Sequence, residues 1–366
     1  MFDSVYNKKK VLITGNTGFK GSWLTAWLLR LGADVIGYSI GIPTNPAMFS
    51  ELTLSDKIRH NTGDVRDLES LRILINTERP DFVFHLAAQS IVSKSYMDPV
   101  ETITTNTIGT MNVLEVMRYV DFPCVVILIT SDKCYDNVEW VWGYRETDGV
   151  GGKDVYSGSK GAAELVIKSY FNSFFRDETC NVYLGIGRAG NVIGGGDWAN
   201  DRIVADIMKA WNEGRTVEIR SPNATRPWQH VLEPLSGYLT LGQSLVQKGK
   251  LHGEAFNFGP RAEQNRSVLE LLNDLSKRWG FHDSNKAYSV TNNTQFHEAG
   301  LLKLNCDKAL FHLNWEPNLN YSETIEFVSD WYTAYYKKRA NMLEFTFEQI
   351  GIYETIANQR ERVWTL

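Results

Sequence analysis

The feature that most constrains the fold is a glycine-rich junction near the start of the chain. Residues 10–14 read as a short apolar strand, which passes into Gly15-Asn16-Thr17-Gly18-Phe19-Lys20-Gly21, and residues 22–31 then read as a helix. Glycines allow a tight turn and let an anion approach the amides at a helix start, where the backbone dipoles favour negative charge. Strand, glycine loop and helix in that order mark a site for a dinucleotide pyrophosphate; the glycines alone would also be explained by a turn that needs them.

The rhythm that follows fits a parallel sheet. Residues 33–38, 82–87, 125–130 and 182–187 read as further strands, most of them separated by amphipathic stretches, and this alternation buries a sheet between two layers of helix. The expected class is α/β, a Rossmann-type doubly wound parallel sheet with a smaller substrate-binding α/β domain. After Arg188 the rhythm changes to a glycine loop at 194–196, a polar helix near 201–213 and a late strand at 255–258. The expected division is 1–187 for an NAD-binding domain, with segments near 229–260 returning to it, and 188–366 mainly for substrate. A chain of 366 residues, 43% hydrophobic, can bury cores of that extent.

Composition removes several classes. A net charge of −5 with dispersed lysines and arginines gives no field to hold a phosphate backbone, so no nucleic-acid partner is expected. Cys124, Cys134, Cys180 and Cys306 form no CxxC pair and the seven histidines no HxH or HxxxH, so neither disulfides nor a metal site are expected. The polar opening residues do not resemble a secretory signal, and no apolar run nears the roughly 18 residues that a membrane helix needs. A cytoplasmic protein without membrane association is expected.

An acidic residue about 20 residues beyond the glycine loop normally binds the ribose hydroxyls. Here the second strand ends Gly37-Tyr38-Ser39. Ser39 replaces a carboxylate incompletely, yet no cation follows to favour a 2′-phosphate, so NAD is preferred to NADP and loose binding is expected. Asp64, followed by Val65, is placed to accept from the adenine amine or to be a solvated turn residue.

Tyr156 and Lys160 stand four apart, on one face of a helix. An ammonium beside a phenol stabilises the phenolate, which makes Tyr156 a usable base for a hydroxyl about to lose hydride. YxxxK is common by chance; its weight comes from lying downstream of the glycine loop and of a strand ending Thr130-Ser131-Asp132, which adds a hydroxyl for the same substrate oxygen.

With these residues the chain resembles the extended short-chain dehydrogenase/reductases, in their nucleotide-sugar 4,6-dehydratase branch. The matching segments are Thr14 to Gly21, His85-Leu86-Ala87-Ala88-Gln89-Ser90, Asn106-Thr107-Ile108-Gly109-Thr110, Thr130-Ser131-Asp132-Lys133-Cys134-Tyr135, Tyr156 to Lys160 and Arg226-Pro227-Trp228-Gln229-His230-Val231. The resemblance implies cofactor contacts from Leu86, Ala87, Ala88, Gln89, Asn106 and Thr130 as well, and substrate contacts from Gln89 and Ser90. It implies that Tyr156 takes the 4-hydroxyl proton as C4 hydride passes to NAD, that water leaves across C5 and C6, and that hydride returns to C6. Ser131 would hold the 4-oxygen, Lys160 would orient the nicotinamide ribose, and Asp132 would protonate the departing 6-hydroxyl, which requires a raised pKa in a dry pocket.

The dTDP-glucose branch carries a glutamate, as base for the C5 proton, where this chain has Lys133. An amine is a base only with a pKa well below its reference of about 10.4; otherwise Lys133 stays charged and stabilises the enolate. Arg188 and Asn191 after the sixth strand, with Arg202 and Arg226 further on, are candidates for a diphosphate, Asn191 and Arg226 foremost by resemblance. Overall resemblance, without a base-reading motif, points to a CDP-linked glucose. Trp140 and Trp142 alternate like one face of a strand and read as packing or as a cover over the site. Apolar faces on helices near 100–119 (Ile103, Ile108, Met111, Met117) and 158–175 (Tyr170, Phe171, Phe174, Phe175) exceed what one sheet buries; the resemblance implies a homodimer through a four-helix bundle, or a dimer-of-dimers tetramer. Competing readings are a 4-epimerase, which needs no acid at Asp132, and a non-catalytic NAD-binding sensor, which needs no Tyr156.

Overall fold

The structure is a computed structural model and describes all residues except 178–179, 220, 249, 262–263 and 292–300. Its centre is a seven-stranded sheet of β1 (Lys10–Thr14), β2 (Asp34–Ser39), β3 (Arg59–Thr62), β4 (Phe82–His85), β5 (Cys124–Ile129), β6 (Val182–Ala189) and the late strand Glu254–Phe258. The spatial order is Glu254–Phe258, β6, β5, β4, β1, β2, β3, and every neighbouring pair runs parallel.

The sequence forms this sheet because its strands are apolar on both faces. Val11, Ile13, Phe82, Phe84, Val125 and Ile127 enter one core, while Leu12, Val83, Val126 and Leu128 enter the other. Continuous apolar runs of this kind are stable only between two helical layers. Strand order reverses between β1 and β4, which opens a crevice at their carboxyl ends, the general ligand position of such sheets. Register brings those ends level, with Thr14 beside His85 and His85 beside Leu128.

Beyond the sheet, among the described residues, lie three two-stranded pairs: Val192–Ile193 with Gln229–His230, Thr225–Pro227 antiparallel to Asn265–Ser267, and Val217–Ile219 with Tyr288–Val290. The polar helix after the glycine loop at 194–196 is Ile203–Asn212.

Several expectations are corrected. The glycine-loop helix is Phe19–Arg30, beginning directly after Gly18. β4 stops at His85, so Leu86 to Ala88 are loop. Residues 139–142 are not a strand; Trp142 is 71% exposed and Trp140 rests against Tyr144, 5.2 Å between rings. The helix expected at 100–119 starts at Pro99 under an Asp98 cap and passes through a π turn, Thr104–Ile108, to Met117. Met117 and Phe175 are buried in this chain's own core, whereas Ile103, Ile108 and Phe174 are exposed. Among the described residues no helix is long and apolar enough to cross a membrane, and no group of three or more His, Cys, Asp or Glu could hold a metal ion.

Candidate active site

The glycine loop sits at the reversal point of the sheet. Gly15 has φ +77°, and a Cβ there would come within 2.7 Å of the Ala87 amide nitrogen; one on Gly21 would lie 2.1 Å from the Gly15 carbonyl oxygen. Only glycine permits this approach of three segments. The first bond of the helix runs from the Ser22 amide to the Gly18 carbonyl at 2.8 Å, so the amides of Phe19, Lys20 and Gly21 lie at the helix start, the position that receives an anion. Leu86, Ala87 and Ala88 form the half-buried opposite wall, tied down by the bond from the Leu86 amide to the Thr14 carbonyl, 3.0 Å.

Asn16 serves the loop through its side chain, which lies over Gly37, accepts from Ser39 Oγ at 2.7 Å and meets His60 Nδ1 at 3.2 Å. The Thr17 amide donates to Ser39 Oγ at 3.3 Å. Ser39 therefore shapes the loop, and the residues that follow it, Ile40 and Gly41, carry no cation to attract a 2′-phosphate. Asp64 binds Arg66 through both carboxylate oxygens, at 3.0 and 2.6 Å, and the Arg66 guanidinium holds its carboxyl below the usual range. Val65 is buried against Gly109. These residues fit an unphosphorylated dinucleotide.

The helix that carries Tyr156 and Lys160, Val155–Tyr170, is started by Asp154, which accepts from the Ser157 amide at 2.9 Å and from Ser157 Oγ at 2.7 Å. That cap places Tyr156 in the first turn and Lys160 one turn on, both buried. Across from them β5 leads into Thr130 and the short turn Asp132–Cys134. Ser131 Oγ donates to Asp132 Oδ1 at 2.9 Å and accepts from the Lys133 amide at 3.2 Å. Ser131 and Asp132 both lie near enough to the Tyr156 phenol to act on its ionisation.

Electrostatics distinguishes Asp132 from Tyr156. Burial pushes the Asp132 carboxyl up, against the Lys133 charge and the Ser131 bond, in the direction that an acid role requires. Burial also pushes Tyr156 up to about 12, opposed by Arg202 and the Ser131 hydroxyl. This corrects the expectation of a phenol lowered by Lys160, because loss of water around the phenol outweighs the neighbouring charge. Lys160 is lowered by burial to about 8, with Cys134 and Glu164 acting in the opposite sense. Lys20 is lowered to about 7 by burial first, then by the Arg202 charge, with Asp132 opposing. Its side chain belongs to the same charged group, for which the sequence carried no signal.

A narrow cleft lies beside Asp132, lined by Gly190, Pro227, Gln229, Gly259, Pro260, Arg261, Asn265, Lys303 and Leu304. A Cβ on Gly190 would fall 2.9 Å from Asp132 Oδ2, so the chain after β6 lies directly over that carboxyl. Arg261, Asn265 and Lys303 gave no sequence signal, because they reach the cleft from distant segments. Asn191 is partly exposed next to Gly190. Arg202 is held outside that lining, its Nη2 3.3 Å from Ser90 Oγ and its Nε 3.6 Å from Asp197 Oδ2. Arg226 Nη1 donates to the Thr225 carbonyl at 2.9 Å.

Three expected ligands are committed elsewhere. Arg188 is inside β6, not after it, and its guanidinium makes a two-pronged buried pair with Glu164, both bonds 2.8 Å, which removes it from any diphosphate. The Gln89 carboxamide turns onto its own loop, donating to the Ile91 carbonyl and Thr102 and accepting from the Ile91 amide at 2.7 Å. Asn106 is buried, accepts from the Gln89 amide at 2.9 Å and donates to Ser159 Oγ at 2.9 Å. Gln89 and Asn106 therefore fix the loop after β4 to the helix Val155–Tyr170 through their side chains.

Known proteins of the same design carry related chemistry. A CDP-glucose 4,6-dehydratase of Salmonella typhimurium is 46% identical over 330 residues, 89% of this chain and 91% of that protein. A CDP-paratose 2-epimerase of Salmonella typhi is 26% identical, with 88% and 98% covered. Among solved structures, DesIV, a dTDP-glucose 4,6-dehydratase of Streptomyces venezuelae with NAD bound, superposes with a TM-score of 0.76 at 20% identity over 90% of this chain and all of that one. A UDP-glucose 4-epimerase of Thermotoga maritima with UDP-glucose gives 0.76 at 22% identity over 90% and 99%. At those identities the structures speak for the fold alone. The family described as GDP-mannose 4,6 dehydratase matches residues 12–328, and with that span the chain belongs to it.

Proposed function

We infer that this protein is an NAD-dependent CDP-glucose 4,6-dehydratase, a hydro-lyase that converts CDP-D-glucose to CDP-4-keto-6-deoxy-D-glucose. The observation that carries the reaction type is the buried, upward-shifted Asp132, bonded to Ser131 and close to the Tyr156 phenol; a 4-epimerase has no departing hydroxyl for that acid. The nucleotide follows from the 46% identical Salmonella relative. The same context points to the dideoxyhexoses of a lipopolysaccharide O-antigen.

When bound, NAD supplies the hydride acceptor for C4, the donor for C6 and a positive ring beside the phenol. The residues that would hold it are the Gly15 to Gly21 loop and Leu86 to Ala88, with Lys160 on the nicotinamide ribose. Residues 1–187, with the return near 229–260, are proposed for cofactor, and 188–366 mainly for nucleotide sugar, Asn191, Arg202 and Arg226 gripping the diphosphate. Ser131 orients the 4-oxygen, and Tyr156 removes the 4-hydroxyl proton. The 4-keto group then acidifies C5–H, a base takes that proton, and Asp132 protonates the 6-hydroxyl as it leaves. The protein is proposed to be cytoplasmic and to dimerise through the exposed faces bearing Val100, Ile103, Ile108, Leu165 and Phe174, alone or as a tetramer of two such dimers.

Lys133, next to Asp132, is the proposed C5 base. A specific observation favours a second reading: Lys20 is lowered to about 7 and interacts with the Asp132 charge, so a share of it is neutral at neutral pH. Exchange of the C5 hydrogen with deuterated solvent separates them. Lys133→Met abolishes the exchange under the first reading and Lys20→Met under the second. The function itself is tested by mass spectrometry of reactions with CDP-, UDP-, GDP- and dTDP-glucose; loss of one water from the CDP sugar is expected, and an unchanged CDP sugar beside a dehydrated one of another nucleotide overturns the assignment.

A further inference from the structure

Glu164 lies one helical turn beyond Lys160, and all its bonds are internal. Its Oε1 accepts from Thr130 Oγ1 at 2.5 Å and from Arg188 Nε at 2.8 Å, and its Oε2 accepts from Arg188 Nη2 at 2.8 Å. Both side chains of the pair are 6% exposed. Arg188 Nη1 continues the chain of bonds to the Tyr135 hydroxyl at 2.8 Å, which donates to Asn257 Oδ1 at 2.8 Å. Asn257 Nδ2 in turn donates to the carbonyls of Tyr144 and Asn305, at 2.9 and 3.0 Å.

The network therefore joins the catalytic helix, the residue immediately before Ser131, β6, the strand Glu254–Phe258, and the segment next to Lys303 and Leu304 in the cleft wall. The Glu164 carboxylate and the Arg188 guanidinium spend these bonds inside the protein, which leaves neither to grip substrate. Stability is a weak reason for such a pair, since burying two charges costs about as much as their attraction returns, and apolar replacements of similar volume are often neutral or stabilising. What a forked, fully bonded pair does supply is fixed geometry.

We propose that Glu164 and Arg188 are positioning residues for the reaction, holding the Tyr156–Lys160 helix, the Ser131–Lys133 turn and the far wall of the substrate cleft in one register. This rests on the dehydratase reading above. A misplacement of about 1 Å at reacting groups costs on the order of 100-fold in rate, so the network acts on kcat rather than on folding.

The test is the double variant Glu164→Met/Arg188→Met, which leaves no unpaired buried charge, compared with the wild type for thermal midpoint, kcat, KM and hydrogen exchange without substrate. The expected result is a midpoint equal to or above that of the wild type, kcat lower by roughly 10- to 100-fold, KM changed far less, and faster exchange at residues 130–135 and 303–305. A folded double variant with wild-type kcat and exchange overturns the proposal. Tyr135→Phe, which deletes one hydroxyl, serves if the double variant does not fold: several-fold lower kcat at unchanged KM supports the network, and unchanged kcat overturns it. Wild-type protein inert towards CDP-glucose refutes the dehydratase reading instead, and the substrate-free exchange then decides the positioning claim alone.

Discussion

Replacing Asp132 by asparagine separates the steps of the reaction. The side chain is 4% exposed and its carboxyl is raised by burial, so asparagine resembles the neutral acid in shape and charge. It also keeps an oxygen for the Ser131 hydroxyl, which donates at 2.9 Å in the native protein. Folding and coenzyme binding should therefore be nearly unchanged. What is lost is the proton for the departing 6-hydroxyl. General-acid assistance is typically worth 10²- to 10⁴-fold, about 2.7 to 5.4 kcal/mol at 25 °C, and the full loss is expected here because the site is dry. Oxidation at C4 does not need this proton, so reduced nicotinamide should accumulate with CDP-glucose while water loss becomes slow. The assay is stopped-flow absorbance of the reduced coenzyme beside mass spectrometry of the sugar. Dehydration by Asp132→Asn within a few-fold of the wild type, with no build-up of reduced coenzyme, would refute the acid assignment.

Further outcomes follow from the same geometry. Lys160, lowered to about 8, is charged below that pH, so kcat/KM should fall as pH rises through about 8; Lys160→Arg, permanently charged, should be slower overall yet lack that limb, and a limb that persists unchanged assigns it to another group. Gly15→Ala places a Cβ 2.7 Å from the Ala87 amide at a φ of +77°; thermal unfolding should show a loss of roughly 1–3 kcal/mol from backbone strain, and calorimetric titration should show NAD binding lost.

Much of the fold was legible because the sheet needs two buried faces, and that requirement writes apolar runs of strand length into the sequence, as in residues 82–85 and 125–129. The polar β3, Arg59–Thr62, has no such signature and was not among the strands expected from apolar runs. At the site, Ser131, Asp132, Tyr156 and Lys160 were readable because each motif lies within one turn and its side chains share a direction. Arg188 was misread for the opposite reason. Its partner Glu164 is 24 residues away, and spacing does not reveal that a strand residue faces the adjacent helix instead of the crevice. Gln89 and Asn106 were expected as ligands from the resemblance alone, yet the side chains of both are consumed in bracing the loop after β4. Lys20 was hidden by its company: a glycine loop draws attention to backbone amides, whereas this side chain joins the charged group around Asp132.

The most direct test of the central claim follows deuterium from C4 of CDP-glucose through a single reaction by NMR and mass spectrometry. The dehydratase account predicts loss of one water and recovery of the deuterium at C6 of a 4-keto-6-deoxy sugar. A product of unchanged mass with inverted C4, or deuterium washed into solvent, would contradict it.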